Sequence, residues 1–232
     1  MSESGHRTYH LAERMKSGRE EYLTPFLAPL GIQDNSTVLD VGCGSGYVNA
    51  YLAARQKLRH NIGLDLELET VKLARQMNAD AGTITWICAS AEAVPLPDAF
   101  ADSVVCRGVV PLATVNRVLA EASRLLRPGG TAVFLLHSWT YYLRWVSLDP
   151  RKWKRSVAGL LHFLLGLWFN LTGRQVRIVV GRHRISQTFQ TEFRIRRLLW
   201  QQGMELYKVL REPEFLAYAV KDARSTPAEA QS

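Results

Sequence analysis

Short apolar runs rich in Val, Ile and Leu recur along the chain and alternate with stretches whose apolar residues fall three and four apart. Continuous apolar runs of strand length are expected of parallel strands covered on both faces, and the three-and-four spacing of the helices that cover them. Seven strands are predicted, over 37–41 (TVLDV), 61–65 (NIGLD), 83–88 (TITWIC), 101–106 (ADSVVC), 131–137 (TAVFLLH), 204–210 (MELYKVL) and 215–220 (FLAYAV). Crossover helices are predicted over 47–57, 67–79 and 113–127, with Val71, Ala74 and Met77 on one face of the second. Only Arg211 to Glu214, with Pro213 among them, separate the last two strands, which permits a hairpin over 204–220 but no crossover. The pattern predicts one α/β domain over 1–232, a doubly wound, mostly parallel seven-stranded sheet whose last strand is antiparallel. A helical insertion lies between its fifth and sixth strands.

The first strand runs directly into Asp40-Val41-Gly42-Cys43-Gly44-Ser45-Gly46, and a helix follows. Glycines in such a turn let the backbone approach a ligand, and the helix N-terminus offers free N–H groups and partial positive charge. The spacing is GxGxG with an acid two residues upstream; the dinucleotide fingerprint GxGxxG would want Gly where Tyr47 stands. Asp65 ends the second strand, where a carboxylate can accept hydrogen bonds from both hydroxyls of a ribose or simply cap the next helix. After the third strand come Ser90, Ala91 and Glu92 and then a Pro-containing turn.

Taken in order, VLDVGCGSGY, GLDLE, SAEAVPLPDAFAD and ASRLLRPGGTAVFL make residues 37–137 resemble the methyltransferase type 11 group, which includes the ubiquinone and menaquinone biosynthesis methyltransferases. The resemblance implies a class I, Rossmann-like fold that binds S-adenosylmethionine (SAM), with a SAM-binding core over 31–137. It places Gly42, Gly44 and Gly46 along the methionine and ribose, with Cys43 in the same turn, Asp40 at the amino group and Asp65 on the ribose. Leu66 would pack on adenine, Ser90 and Ala91 would meet its edge beside Glu92, and Cys106 and Arg107 would close the floor through their backbone. Two departures stand out. Ser90 occupies a position that usually holds Asp, and Gly108-Val109-Val110-Pro111 is short and apolar where many members carry a His-rich loop.

Methyl transfer from a sulfonium needs orientation and a dry pocket more than a catalytic dyad. A hydroxyl or ammonium acceptor would still require a base. His137 is the candidate, because it follows the fifth strand at the carboxyl edge where open α/β sheets bind ligands. Satisfying a loop carbonyl is its alternative role. His6, Tyr9 and His10 are further candidates in a segment that folds over SAM in similar enzymes.

Composition is that of an ordinary globular protein, 47% hydrophobic and 22% charged, with small polar residues at both ends. Cys43, Cys88 and Cys106 show no metal-ligand spacing and no disulfide framework, which fits a reducing cytoplasm and no metal. The start of the chain does not read as a signal peptide, and the longest apolar run, Val157 to Phe169, falls short of the roughly 17–25 residues of a spanning helix.

The formal net charge of +8 is not spread evenly: residues 144–197 hold 12 Lys/Arg against 2 Asp/Glu, and the remainder is near neutral. This block overlaps the insertion 138–200, which begins with Trp139, Tyr141, Tyr142 and Trp145. Arg151-Lys152-Trp153-Lys154-Arg155, the apolar run, and Arg174, Arg177, Arg182 and Arg184 follow. Three readings remain open. It can be a lid that covers the acceptor, an element lying on an anionic membrane through 151–184, or a single-stranded RNA contact, which the long apolar run disfavours. Asn170-Leu171-Thr172 matches a glycosylation triplet that carries no meaning without a secretory signal. The function expected is methyl transfer from SAM to a small or lipid-like acceptor beneath 138–200. The alternative is a SAM-binding regulatory or scaffold protein without catalysis.

Overall fold

Strand β1 (Thr37–Val41) is buried along its whole length and lies inside the sheet, parallel to β2 (His60–Asp65) on one side and β4 (Ala101–Cys106) on the other. Its side chains divide by parity, as a pleated strand requires. Val38 joins one apolar cluster with Leu23, Phe26, Val48 and Leu52, whereas Leu39 and Val41 join a second with Val118, Leu119, Ile195 and Leu199. The same division recurs in β4, where Val105 parts from Val104 and Cys106, and in β9 (Phe215–Lys221), where Tyr218 parts from Ala217 and Ala219. Two helical layers therefore enclose the sheet. Each fully buried Leu, Val or Phe in them contributes about 1.5–3 kcal/mol.

The computed structural model describes residues 20–144, 149–176, 178–180, 183–185, 188–211 and 215–223. His6, Tyr9, His10, Trp145, Arg177 and Arg182 lie outside these residues, as do the side chains of Lys154 and Arg184. The seven strands are ordered β3-β2-β1-β4-β5-β9-β8, with β3 at Thr85–Cys88, β5 at Leu126–Leu136 and β8 at Met204–Leu210. Strand β9 is antiparallel to both neighbours, and the others run parallel. This is the expected doubly wound sheet with its last strand reversed.

The differences are local. Helix α2 (Tyr47–Ala53) stops short of residue 57 because Gln56 donates to the Ile32 carbonyl and the Lys57 amide donates to the Asp34 carboxylate. Helix α3 (Leu68–Met77) ends where the Asn78 side chain donates to the carbonyls of Ala74 and Ser45. Helix α4 (Val115–Leu125) gives way at Leu126, which already pairs with Ala101, so β5 begins before the Pro-Gly-Gly segment expected to precede it. The residue directly before a proline, here Arg127, is drawn into extended backbone, so the helix ends ahead of it.

Unforeseen elements are α1 (Glu20–Leu27), the hairpin of β6 (Ile178–Val180) with β7 (His183–Ile185), and α7 (Glu192–Gln201) against β8. Between β5 and α7 come the short α5 (Trp139–Leu143) and the 20-residue α6 (Trp153–Thr172), which extends the apolar run by several residues at each end.

Candidate functional site

The parallel strands end along one edge, with Val41 level with Leu64 and Cys106, and Cys106 level with Phe134. Asp40, Asp65, Arg107 and His137 thus reach the same carboxyl edge from four strands, the edge that receives ligands in this architecture. The turn after β1 is held there by two bonds to the end of β2: the amides of Gly42 and Cys43 both donate to the Leu64 carbonyl, at 2.8 and 2.9 Å. The Gly44 amide donates to Asp65 Oδ2 at 3.2 Å, and the Glu67 amide to Oδ1 at 3.1 Å. Asp65 therefore ties the turn to the start of α3, with a partly exposed carboxylate whose remaining lone pairs can take ribose hydroxyls.

Two glycines in this turn have no alternative. Gly42 has φ +76°, and a Cβ there would overlap Val109 from the loop after β4. Gly46 has φ +70°, and a Cβ there would overlap the Trp86 ring of β3. Both positions combine a left-handed backbone with a close neighbour, so any side chain is excluded twice over.

Asp40 is 2% exposed, and its Oδ2 finds no hydrogen-bond partner among the described residues. Burial raises its pKa to about 7, opposed by the nearby Arg107 guanidinium and reinforced by the Asp65 charge. Arg107 in turn lies over the rings of Tyr22, at 5.0 Å, and Tyr47, at 5.6 Å. Such a carboxylate is costly to leave alone and is suited to a cationic partner. An α-ammonium seated at the mouth of the turn would supply the missing donor.

The adjoining part of this edge is built from the loops after β2 and β3. Leu66 is 70% exposed, an apolar surface available for a ring to cover. Ser90 Oγ accepts from the Glu92 amide at 3.1 Å, which shapes the loop around partly buried Ala91. Glu92 points elsewhere: its carboxylate accepts from the Thr114 amide and hydroxyl at 2.8 and 2.7 Å and pairs with Arg117 at 3.6 Å, at the start of α4. Cys43 and Cys106 are buried and free, and burial pushes both thiols up, Cys106 to about 12, so neither is a nucleophile near neutral pH.

At the end of β5, His137 Nδ1 is 2.8 Å from the Tyr142 hydroxyl, and its ring stacks on Tyr141 at 4.1 Å. Tyr142 is fully buried and stacks at 5.3 Å on His162, which α6 presents from its inner face. Burial first, and the neighbouring His162 second, lower the His137 pKa to about 4, so the imidazole is neutral at pH 7. With Nδ1–H donated to Tyr142, Nε2 keeps a lone pair that can accept a proton.

Residues 39–134 match the family model described as a methyltransferase domain. Over 114 residues the chain is 32% identical to a malonyl-[acyl-carrier protein] O-methyltransferase of Marinomonas, covering 48% of this chain and 42% of that one. Over 108 residues it is 32% identical to a 2-phytyl-1,4-naphtoquinone methyltransferase of Thermosynechococcus vestitus, covering 46% and 48%. A ubiquinone/menaquinone biosynthesis C-methyltransferase of Rickettsia bellii is 34% identical over 109 residues, 44% of each chain. The chain thus matches less than half the length of each of these relatives. A SAM-dependent methyltransferase from Aquifex aeolicus shares the fold, with TM-score 0.62 and 17% identity over 95% of this chain and 98% of that one. A Synechocystis magnesium protoporphyrin IX methyltransferase with bound S-adenosylhomocysteine also shares it, at TM-score 0.57 and 16% identity over 87% and 81%.

Over residues 39–134 the chain is thus similar to a methyltransferase domain.

Several residues that shape this strand edge were not legible as site residues in the sequence. Trp86 packs beneath both Gly46 and Gly63, and the isolated glycine inside β2 was the available sign of so close an approach. Asn78 pins the Ser45 carbonyl of the turn from the far end of α3. Tyr22 and Tyr47 flank the Arg107 side chain at the carboxyl edge of the sheet.

Proposed function

We propose that the chain transfers the methyl group of SAM to a small or lipid-like acceptor covered by residues 138–200. The observation that carries this reading is the buried, under-partnered Asp40 carboxylate at the mouth of the glycine turn, on the same strand edge as Asp65 and His137. When bound, SAM supplies an already activated methyl on a sulfonium, so the protein's work is to hold, orient and exclude water. Asp40 takes the amino group and Asp65 the ribose hydroxyls. The Gly44 region gives close backbone approach, Leu66 covers a face of adenine, and Ser90 and Ala91 meet its edge. Cys106 and the Arg107 backbone close the floor, and the Arg107 charge keeps Asp40 from being an isolated buried anion.

The acceptor reading draws on the insertion. Tyr141, Tyr142 and His162 surround His137 with an aromatic, low-polarity environment in which an apolar ring or chain can pack. The neutral His137 imidazole accepts the proton that a hydroxyl acceptor must lose. The matched relatives are named as methyltransferases of malonyl-[acyl-carrier protein], of 2-phytyl-1,4-naphtoquinone and of ubiquinone/menaquinone biosynthesis, which agrees with an acceptor of this kind.

Calorimetric titration with SAM, S-adenosylhomocysteine and NAD tests the cofactor: micromolar binding of the first two alone is expected, and binding of neither overturns the reading. The Ser90 substitution and the short loop after β4 favour one competing function, SAM binding without catalysis. Methylated product from quinone-like or carboxylate-bearing acyl acceptors separates the two.

A further inference from the structure

Among the described residues, the outer face of α6 is apolar and uncovered. Trp153, Val157, Leu160, Leu164, Trp168 and Leu171 are each 50–72% exposed. With 3.6 residues per turn they fall within an arc of roughly 80°. His162, Gly166 and Phe169, buried against Tyr142 and Phe189, hold the opposite face. A surface helix of a globular protein has the reverse arrangement, with charged side chains outward. From Ser156 to Gly173 this helix and its cap contain no Lys, Arg, Asp or Glu.

Charge frames the stripe. Residues 150–191 hold eight Lys/Arg and no Asp/Glu, and the rest of the chain holds 21 of each, so this segment carries the whole excess of +8. Arg151, Lys152 and Arg155 are exposed at the start of α6 and Arg174 just past its end; Lys152 also lies 3.8 Å from Asp149. A second copy on the stripe would bring two such cationic segments together, and a nucleic acid would meet an uncharged apolar middle. No helix among the described residues is long and apolar enough to cross a membrane. An interface that is apolar along its centre, anionic around it and flat fits both features at once.

We propose that α6 lies on the surface of a bilayer containing anionic lipid, its stripe entering the boundary between headgroups and acyl chains and its basic flanks meeting the headgroups. Trp153 and Trp168 sit at the depth that aromatic side chains favour. This inference is independent of the methyl-transfer reading, and its failure would leave SAM binding untouched.

The test is flotation of the full chain with phosphatidylcholine vesicles, with and without phosphatidylglycerol. Partition onto the phosphatidylglycerol vesicles is expected to be at least about tenfold stronger and to weaken with salt. Leu160→Glu with Leu164→Glu, both on the exposed face, should lower it about tenfold or more while circular dichroism and SAM affinity stay at wild-type values. Equal flotation on both vesicle types overturns the proposal, as does wild-type flotation of the double variant. A concentration-dependent dimer in sedimentation equilibrium that the double variant dissociates would put a second copy on the stripe and overturn it as well.

Discussion

Asp40 concentrates the energetic tension of the cofactor edge in one carboxyl group. Its pKa is about 7 in the fold against an ordinary 3.8, so the unfolded chain is ionised from pH 3.8 upward while the fold retains the proton to about 7. The favourable term is present below pH 3.8 and lost as pH rises to 7. Asp40→Asn is therefore expected to stabilise the free protein at pH 8 by about 2–4 kcal/mol in urea titrations, and to weaken SAM binding at least about tenfold. A variant no more stable than wild type at that pH would show that Arg107 already offsets the burial. Asp65→Ala is expected to weaken SAM by more than about tenfold in calorimetry. The loss of the proposed ribose contacts and the release of the Gly44 amide both act in that direction. His137 has the opposite linkage. Its pKa of about 4 lies below the ordinary 6.5, so stability falls as pH drops from 6.5 to 4. His137→Gln should lessen that acid fall by about 1–3 kcal/mol and, where the acceptor is a hydroxyl, should lower kcat with little change in SAM affinity.

Among the elements, the turn between β1 and α2 depends on β3 beneath it. Gly46→Ala sets a methyl group against the Trp86 ring in a left-handed backbone, and a loss of about 2–4 kcal/mol in the urea-derived stability is expected. Trp86→Phe in the same background should recover part of it by withdrawing the overlapping ring atoms. A second junction joins α6 to α7. Asn170 donates to the carbonyls of Gly166 and Phe189 and accepts from the Thr191 amide and hydroxyl, while Arg194 donates to the Asn170 carbonyl. The side chain that completes a glycosylation triplet in sequence is thus fully occupied as a clasp. Arg194→Ala, at a site 6% exposed, is expected to cost about 2–3 kcal/mol and to raise amide exchange in α6 more than in β1.

Across the whole molecule, continuous apolar runs and three-and-four spacing were enough to place the seven strands of the main sheet and its crossover helices, because a strand covered on both faces is apolar on both and a covering helix needs one apolar face. The ends of α2, α3 and α4 were not readable, since tertiary bonds from Gln56, Asn78 and Leu126 set them. Helix α7 is not legible in the sequence because Arg194, Arg196 and Arg197 interrupt its apolar spacing, and the buried role of Arg194 appears only once α6 is in place. The glycine turn, its upstream acid and Asp65 were legible as neighbours on one strand edge because strand, turn and helix are contiguous and their chemistry is local. The partnerless state of Asp40, the Arg107 side chain between two tyrosines and the Trp86 ring under the glycines required residues far apart in the chain to meet. The sequence likewise carried the excess charge and the apolar run of α6. Which side of that helix faces outward was settled by packing alone, since it is apolar around its circumference and only the position of Tyr142 and Phe189 decides which face is covered.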